Sequence, residues 1–213
     1  MIYLSGRALP IQPHPHIGVM LSMANHTRKH GHALFACDNG CFTRPDKYTD
    51  DGFLAWLDLH PRTGCLFAVA PDVVGDADGT LDRAVPMLPR IQGLGFRAAF
   101  VGQDGATPRS LPWPDFDALF IGGTTEWKLS GKAADLIAEG KRQGKWVHMG
   151  RVNSWARISA ANALGVNSVD GTHLAFAPDQ HTPQVIAWLN RIANQPRLFE
   201  RCFGTGEVED DEE

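Results

Sequence analysis

Eight short apolar runs punctuate the chain, and their spacing predicts eight strands: Ile2–Ser5, Ile17–Leu21, Ala33–Cys37, Leu66–Ala70, Arg97–Val101, Ala118–Ile121, Trp146–Met149 and Val166–Val169. Most are continuous rather than alternating, the pattern of strands covered on both faces in a parallel sheet. Between the later runs, apolar positions recur at helical spacing. Ala133, Leu136 and Ile137 mark one face of a helix over Lys132–Gln143 that Gly144 can close. Asn153 or Ser154 can cap a second, which runs to Leu164 and ends at Gly165. Val185, Ile186, Leu189 and Ile192 share one side of a third over Gln184–Ala193. Asp51–Leu59 and Leu81–Ile91 also read as helical, the latter kinked or shortened by Pro86 and Pro89. The proline-rich segments Pro10–Pro15 and Thr107–Pro114 read as surface loops.

Strands that alternate with helices favour parallel crossovers. Eight of them make an α/β fold, a compact (β/α)8 barrel of the TIM type, the first expectation, with a doubly wound open sheet second. At 213 residues the chain falls short of the ~250 typical of such barrels, so short helices and loops are expected. Residues 1–206 show no internal repeat and no dividing linker, and read as a single domain. Residues 207–213 hold six acids and no base, and read as a disordered tail. The formal charge is -4, but residues 1–206 alone carry +2, which neither demands nor excludes a nucleic-acid partner.

No apolar run approaches the ~18–20 residues that span a bilayer, and the first residues lack the basic and apolar stretches of a signal peptide. No membrane association and a cytoplasmic location are therefore expected. Cys37, Cys41, Cys65 and Cys202 are spaced for neither a disulfide framework nor a paired-cysteine zinc site. No metal or cofactor is implied.

The candidate chemistry lies at the ends of the apolar runs, where a parallel barrel builds its site. In order along the chain these ends read Ala36-Cys37-Asp38-Asn39-Gly40-Cys41-Phe42, Ala70-Pro71-Asp72, Gly102-Gln103-Asp104-Gly105, Ile121-Gly122-Gly123-Thr124, His148-Met149-Gly150-Arg151 and Val169-Asp170-Gly171. Carboxylates, an amide and close-approach glycines suit a flat heterocyclic base: the acids accept from its ring and amino N–H groups, and an aromatic and a methionine can clasp its faces.

This ordered set resembles the tRNA-guanine transglycosylase superfamily, and more closely its compact DNA-modifying branch, the 7-deazaguanine DNA transglycosylases of phages and bacterial genomic islands. The resemblance runs from about Ala33 to Gly171. It implies Asp170 as the nucleophile that forms a glycosyl-enzyme intermediate and Asp38 as the general acid/base. It also implies Phe42 and Met149 as the residues that stack on the base, and Asp72, Gln103, Gly122 and Gly123 as those that read it. The implied reaction exchanges guanine in DNA for a 7-deazaguanine base such as preQ0, in the host cytoplasm if the protein is phage-encoded. The Cys-rich zinc segment of the family's tRNA enzymes has no counterpart here, which makes tRNA the less favoured polymer. Lys128, Lys132, Arg151 and Arg157 are candidate phosphate contacts, each first read as a solvated surface charge.

Two other classes fit parts of the pattern. A metal-dependent barrel hydrolase could draw ligands from His14, His16, His148, His173 and Asp170, although His14-Pro15-His16 precedes its strand and so falls at the wrong end. A non-catalytic barrel that binds a base or nucleic acid would keep Phe42, Asp72 and Gln103 and would not need Asp170.

Overall fold

A computed structural model describes residues 1–7, 14–25 and 33–194. Eight parallel strands form one closed barrel in sequence order: β1 (Ile2–Ser5), β2 (Ile17–Ser22), β3 (Phe35–Asp38), β4 (Cys65–Val69), β5 (Ala98–Gly102), β6 (Ala118–Ile121), β7 (Trp146–Met149) and β8 (Ser168–Gly171). The ring is closed by β1 against β8, with Leu4 opposite Asp170. The expected (β/α)8 architecture is therefore the observed one.

The helices are short. They are α1 (Asp50–Asp58), α2 (Ala77–Ala84), α3 (Leu88–Gly93), α4 (Thr125–Lys128), α5 (Gly131–Arg142), α6 (Trp155–Ala163), α7 (His173–Phe176) and α8 (Pro178–Ala193). Local chemistry starts several of them: the Thr49, Asp76, Ser130 and Ser154 side chains each accept from a backbone N–H in the first turn of α1, α2, α5 and α6. Ser154 is thus the cap of α6, and Asn153 caps a different segment, described below. The helix expected over Leu81–Ile91 is two helices, because the prolines at 86 and 89 leave no continuous ladder of N–H donors. No helix among the described residues is long and apolar enough to cross a membrane. Cys202 and the acidic tail lie outside the described residues, as do most of Pro10–Pro15 and His26, His30 and His32.

Two apolar layers follow from the pleat, since successive strand residues point to opposite faces. Leu4, Met20, Ala36, Phe67, Val69, Ala99, Val101 and Ala118 fill the barrel, with Phe120 and Trp146 packed on them. Tyr3, Val19, Leu21, Phe35, Phe100, Leu119, Ile121, Val147, Met149 and Val169 point outward to meet Leu57, Leu88, Leu136, Ile137, Ile158 and Leu189 of the helices. The interior mixes small residues with a few rings, which is how a narrow barrel is filled without strain.

Gly18 marks a tight point of that interior. A Cβ there would lie 2.6 Å from the Leu34 carbonyl oxygen and 2.8 Å from Leu4 Cδ2. Backbone cannot yield as a side chain can, so Gly18→Ala is expected to destabilise by ~1–3 kcal/mol. That amounts to a fall of ~2–4 °C in thermal midpoint per kcal/mol for a chain of this size, measurable by circular dichroism; an unchanged midpoint would contradict this packing.

Candidate active site

The strand order gathers Asp38, Asp72, Gln103, Gly122, Gly123, Asp170 and Phe42 around one cavity of about 200 Å³ at the carboxyl end of the barrel. It is smaller than the ~300–1,000 Å³ pockets of drug-sized ligands, and it suits one flat ring system rather than a whole nucleotide. Met20, Val69, Val101 and Phe120 give it apolar walls. Phe42 sits on its rim with 68% of its surface exposed, an unusual cost for a phenylalanine with nothing to cover it.

One wall is a polar network built on Asp72. Gln103, itself buried, donates from Nε2 to Asp72 Oδ2 at 2.6 Å and accepts at Oε1 from the Gly75 N–H at 3.0 Å. Only this amide orientation serves both a carboxylate and an N–H. Gln103 lines the cavity, but its principal work here is to aim Asp72. Asn39 ties the β3 tip to β4 by donating to the Ala70 carbonyl at 3.0 Å, and its Oδ1 accepts from the Cys41 N–H at 2.7 Å. Burial raises the pKa of Asp72, while hydrogen bonds from Gln103, Cys41 and Asn39 and the Arg83 charge oppose that rise.

Asp38 has fewer compensations. Burial, then the charges of Asp72 and Asp170, push its pKa up to about 7, against hydrogen bonding from the Gly40 N–H and Ser22. It is the carboxyl group of the cavity best suited to both give and take a proton near neutral pH.

Asp170 is held from inside the barrel. His148 Nε2 lies 3.0 Å from Asp170 Oδ1, and its Nδ1 lies 2.8 Å from Ser168 Oγ. The Trp146 indole N–H donates to the same hydroxyl at 2.9 Å. Because that indole can only donate, the Ser168 hydrogen is free to go to Nδ1, and in that tautomer the imidazole proton sits on Nε2, facing Asp170. The chain Trp146–Ser168–His148–Asp170 thus engages one carboxylate oxygen and leaves the other available. From outside the barrel, the Val152 N–H donates to the Asp170 carbonyl at 2.6 Å, and Asn153 Oδ1 caps the Thr172 and His173 N–H groups at 2.8 and 3.1 Å.

Two expectations require correction. Met149 does not line the cavity: it is 3% exposed within the outer layer, against the helices. The pleat turns His148 inward instead, with its ring 4.5 Å from that of Phe120 and 5.0 Å from that of Phe67. Nor is Lys128 a solvated surface charge. It is 5% exposed, lines the cavity and donates from Nζ to the Gly150 carbonyl at 3.0 Å. Its pKa is lowered to about 8 by burial, then by Arg151 and Arg157, against the opposing charges of Asp170 and Asp104.

The glycine pair serves close approach. A Cβ on Gly122 would meet Val101 Cγ1 at 2.7 Å and Gln103 Nε2 at 3.0 Å, and Gly123 takes φ +73°. The Gly122 N–H is already committed to the Gly102 carbonyl. Asp104 is a turn residue, accepting from the Thr124 N–H at 2.8 Å and from its hydroxyl at 2.6 Å. Of the histidines weighed as metal ligands, His148 meets Asp170, whereas His173 pairs with Gln184 and stacks on His181. Among the described residues no group of three His, Cys, Asp or Glu side chains converges as a metal site would require.

No protein-family model and no curated protein matches this chain. Among solved structures it is similar to a chain of the tryptophan synthase a2b2 complex of Pyrococcus furiosus (16% identity, 79% of this chain and 67% of that one, TM-score 0.48). It is also similar to a chain of M. tuberculosis tryptophan synthase (19%, 79% and 63%, 0.49) and to the PaMucR phosphodiesterase in its c-di-GMP complex (19%, 68% and 62%, 0.43). The likeness is one of barrel architecture.

The raised pKa of Asp38 has a consequence for stability. Between the ordinary carboxylate range and about 7, the folded protein keeps a proton that the unfolded chain has released. Its stabilisation therefore falls as pH rises through that window and is level above it. Asp38→Asn removes this titration, so it should stabilise the protein at pH 8 by ~2–4 kcal/mol and do little at pH 4. Calorimetric unfolding at the two pH values checks this, and an effect independent of pH would refute the assignment.

Proposed function

We propose that this protein is a base-exchanging transglycosylase that replaces guanine in DNA with a 7-deazaguanine base. What carries the reading is one pairing: Asp38 and Asp170 border the same base-sized cavity in unlike surroundings. Asp170 lies 3.0 Å from His148 Nε2 with Lys128 nearby, while burial and the charges of Asp72 and Asp170 push the pKa of Asp38 up to about 7. Two carboxyl groups in such unlike surroundings are suited to divide the labour of nucleophile and acid/base.

In the proposed reaction the free oxygen of Asp170 attacks C1′ of the target nucleotide. The C1′–N9 bond breaks, its electron pair passes to the departing guanine, and Asp38 protonates that base. The incoming 7-deazaguanine then returns a proton to Asp38 as its ring nitrogen attacks C1′ and displaces Asp170. Asp72, aimed by Gln103, accepts from the base N–H edge, and Phe42 covers one face. DNA as the polymer rests on the family resemblance, and a duplex would have to expose the base at a cost of ~a few kcal/mol.

The deciding experiment is incorporation of labelled guanine or preQ0 into DNA and, in parallel, into tRNA. Label in DNA that is lost in Asp170→Ala is the expected result. Label in tRNA alone would replace the polymer, and label undiminished in Asp170→Ala would remove the nucleophile and with it the mechanism.

His148 supplies a second test. A hydrogen bond to a charged group is worth ~1.5–3 kcal/mol, so His148→Leu should slow formation of the glycosyl-enzyme by ~10–100-fold. KM should change little, and His148→Gln, which keeps a donor, should recover part of the rate. Equal losses in both variants, with intact fold, would show that the imidazole only fills space.

A further inference from the structure

Three cations crowd the side of the cavity next to Asp170 without an anion of their own. Lys128 ends α4, Arg151 follows the glycine at the β7 tip, and Arg157 lies in the first turn of α6. Other arginines, at 44, 62, 90 and 142, each meet an acid. Among the described residues none of these three has a carboxylate within 4.0 Å. Instead they hold backbone carbonyls: Lys128 that of Gly150 at 3.0 Å, Arg157 that of Arg151 at 3.3 Å. Between these two anchors Arg151 adopts φ 60°, the sole non-glycine residue at positive φ among those described. Such a conformation is costly for a side chain with a Cβ and persists where its surroundings enforce it, typically at binding sites.

We propose that Lys128, Arg151 and Arg157 form a phosphate subsite, which takes the backbone phosphodiester beside the nucleotide whose base enters the cavity. The charge requires an oxyanion: an ammonium held at one carbonyl still has donors to give, and two guanidiniums present planar forks suited to phosphate oxygens. The place fits a nucleotide's own phosphate. Lys128 and Arg151 line the cavity itself, and a Cβ on Gly150 would stand 3.2 Å from Asp170 Oδ1. A sugar with C1′ at Asp170 therefore has this loop as its neighbour. The charges of Arg151 and Arg157 add to burial in lowering the pKa of Lys128, and a bound phosphate offsets that repulsion. The assignment of that phosphate to DNA rests on the transglycosylase reading; the need for a phosphate-like anion does not.

The test is binding, free of turnover. A fluorescein-labelled single-stranded DNA with one guanine is titrated by anisotropy against the Asp170→Asn protein over a salt series. Arg151→Gln and Arg157→Gln, each added to that background, should weaken binding several-fold at low salt and lower the salt slope by about one per lost phosphate contact. Arg142→Gln, whose arginine is paired with Glu139 on the far side of α5, should leave both unchanged. Binding of free preQ0, which has no phosphate, should also be unchanged. Lys128→Met is the more disruptive variant, and the two arginine variants decide the matter without it.

A wild-type salt slope in both arginine variants would overturn the subsite, even if base exchange in DNA is found. A reduced slope without base exchange would uphold the subsite and overturn the proposed reaction. Inorganic phosphate that binds the wild type but not the variants, while the oligonucleotide binds both equally, would overturn its assignment to the polymer.

Discussion

The ladder between β1 and β8 is the constraint from which the site follows. It sets Ile2 opposite Ser168 and Leu4 opposite Asp170, so the side chains of Ser168 and Asp170 share the inner face with Leu4 while Tyr3 and Val169 face the helices. Once the ring is closed, every strand inherits its parity from its neighbours: Ser22 stands against Asp38, Phe120 against His148, and His148 against Ser168. A slip of one residue anywhere would turn a strand's polar set outward into the apolar layer. The hydrogen bonds that position the candidate nucleophile are thus a consequence of barrel closure, not of any local motif.

Within that frame, three carboxylates are brought to one small cavity and are told apart by what surrounds them. Asp72 has a buried amide aimed at it, and Asp170 has an imidazole that also contacts a serine held by an indole. Asp38 receives least, and repulsion from the other two falls on it. Gathering like charges in a half-buried space destabilises the fold, and the cations beside Asp170 are anchored to backbone carbonyls rather than paired with these acids. Acids and unpaired cations side by side at one cavity are what a polar substrate with a charged backbone would find complementary.

The sequence carried most of the frame. The limits of β1, β6 and β7 are the observed ones, because each is a short apolar run bounded by polar or glycine residues. Val166 was expected in β8 and is not in it: its N–H closes onto Ala161 at the end of α6, and the ladder starts two residues later, at Ser168. Likewise α8 begins at Pro178 rather than Gln184, since proline in early helical positions starts a helix more readily than it stops one. The site residues at loop tips were legible as acids and glycines after apolar runs. The inward residues of β7 were not. Trp146-Val147-His148-Met149 is buried or nearly so throughout, and a strand covered on both faces has no polar alternation to betray which pair faces in. The signal was available only jointly: Ser168 and Asp170 lie two apart, as do Trp146 and His148, and adjacent strands of a barrel must share that parity. Lys128 was misjudged for a related reason, since burial of a lysine at the end of a four-residue helix depends on the neighbouring β7 loop and not on its own sequence.

Cavity size constrains the order of events in the proposed exchange. A space of about 200 Å³ favours one flat heterocycle at a time, which in the proposed exchange separates the outgoing from the incoming base. If release comes first, the sugar between release and capture would be an unprotected cation open to water unless a protein group takes the place of the base. Asp170, with one oxygen engaged by His148 and the other available, meets that requirement. Asp38 meets the companion one, since the proton it gives to the first base has to be recovered from the second, and an acid near pKa 7 can do both without a bias toward either. The proposed double displacement thus agrees with the volume of the site as well as with its carboxyl groups.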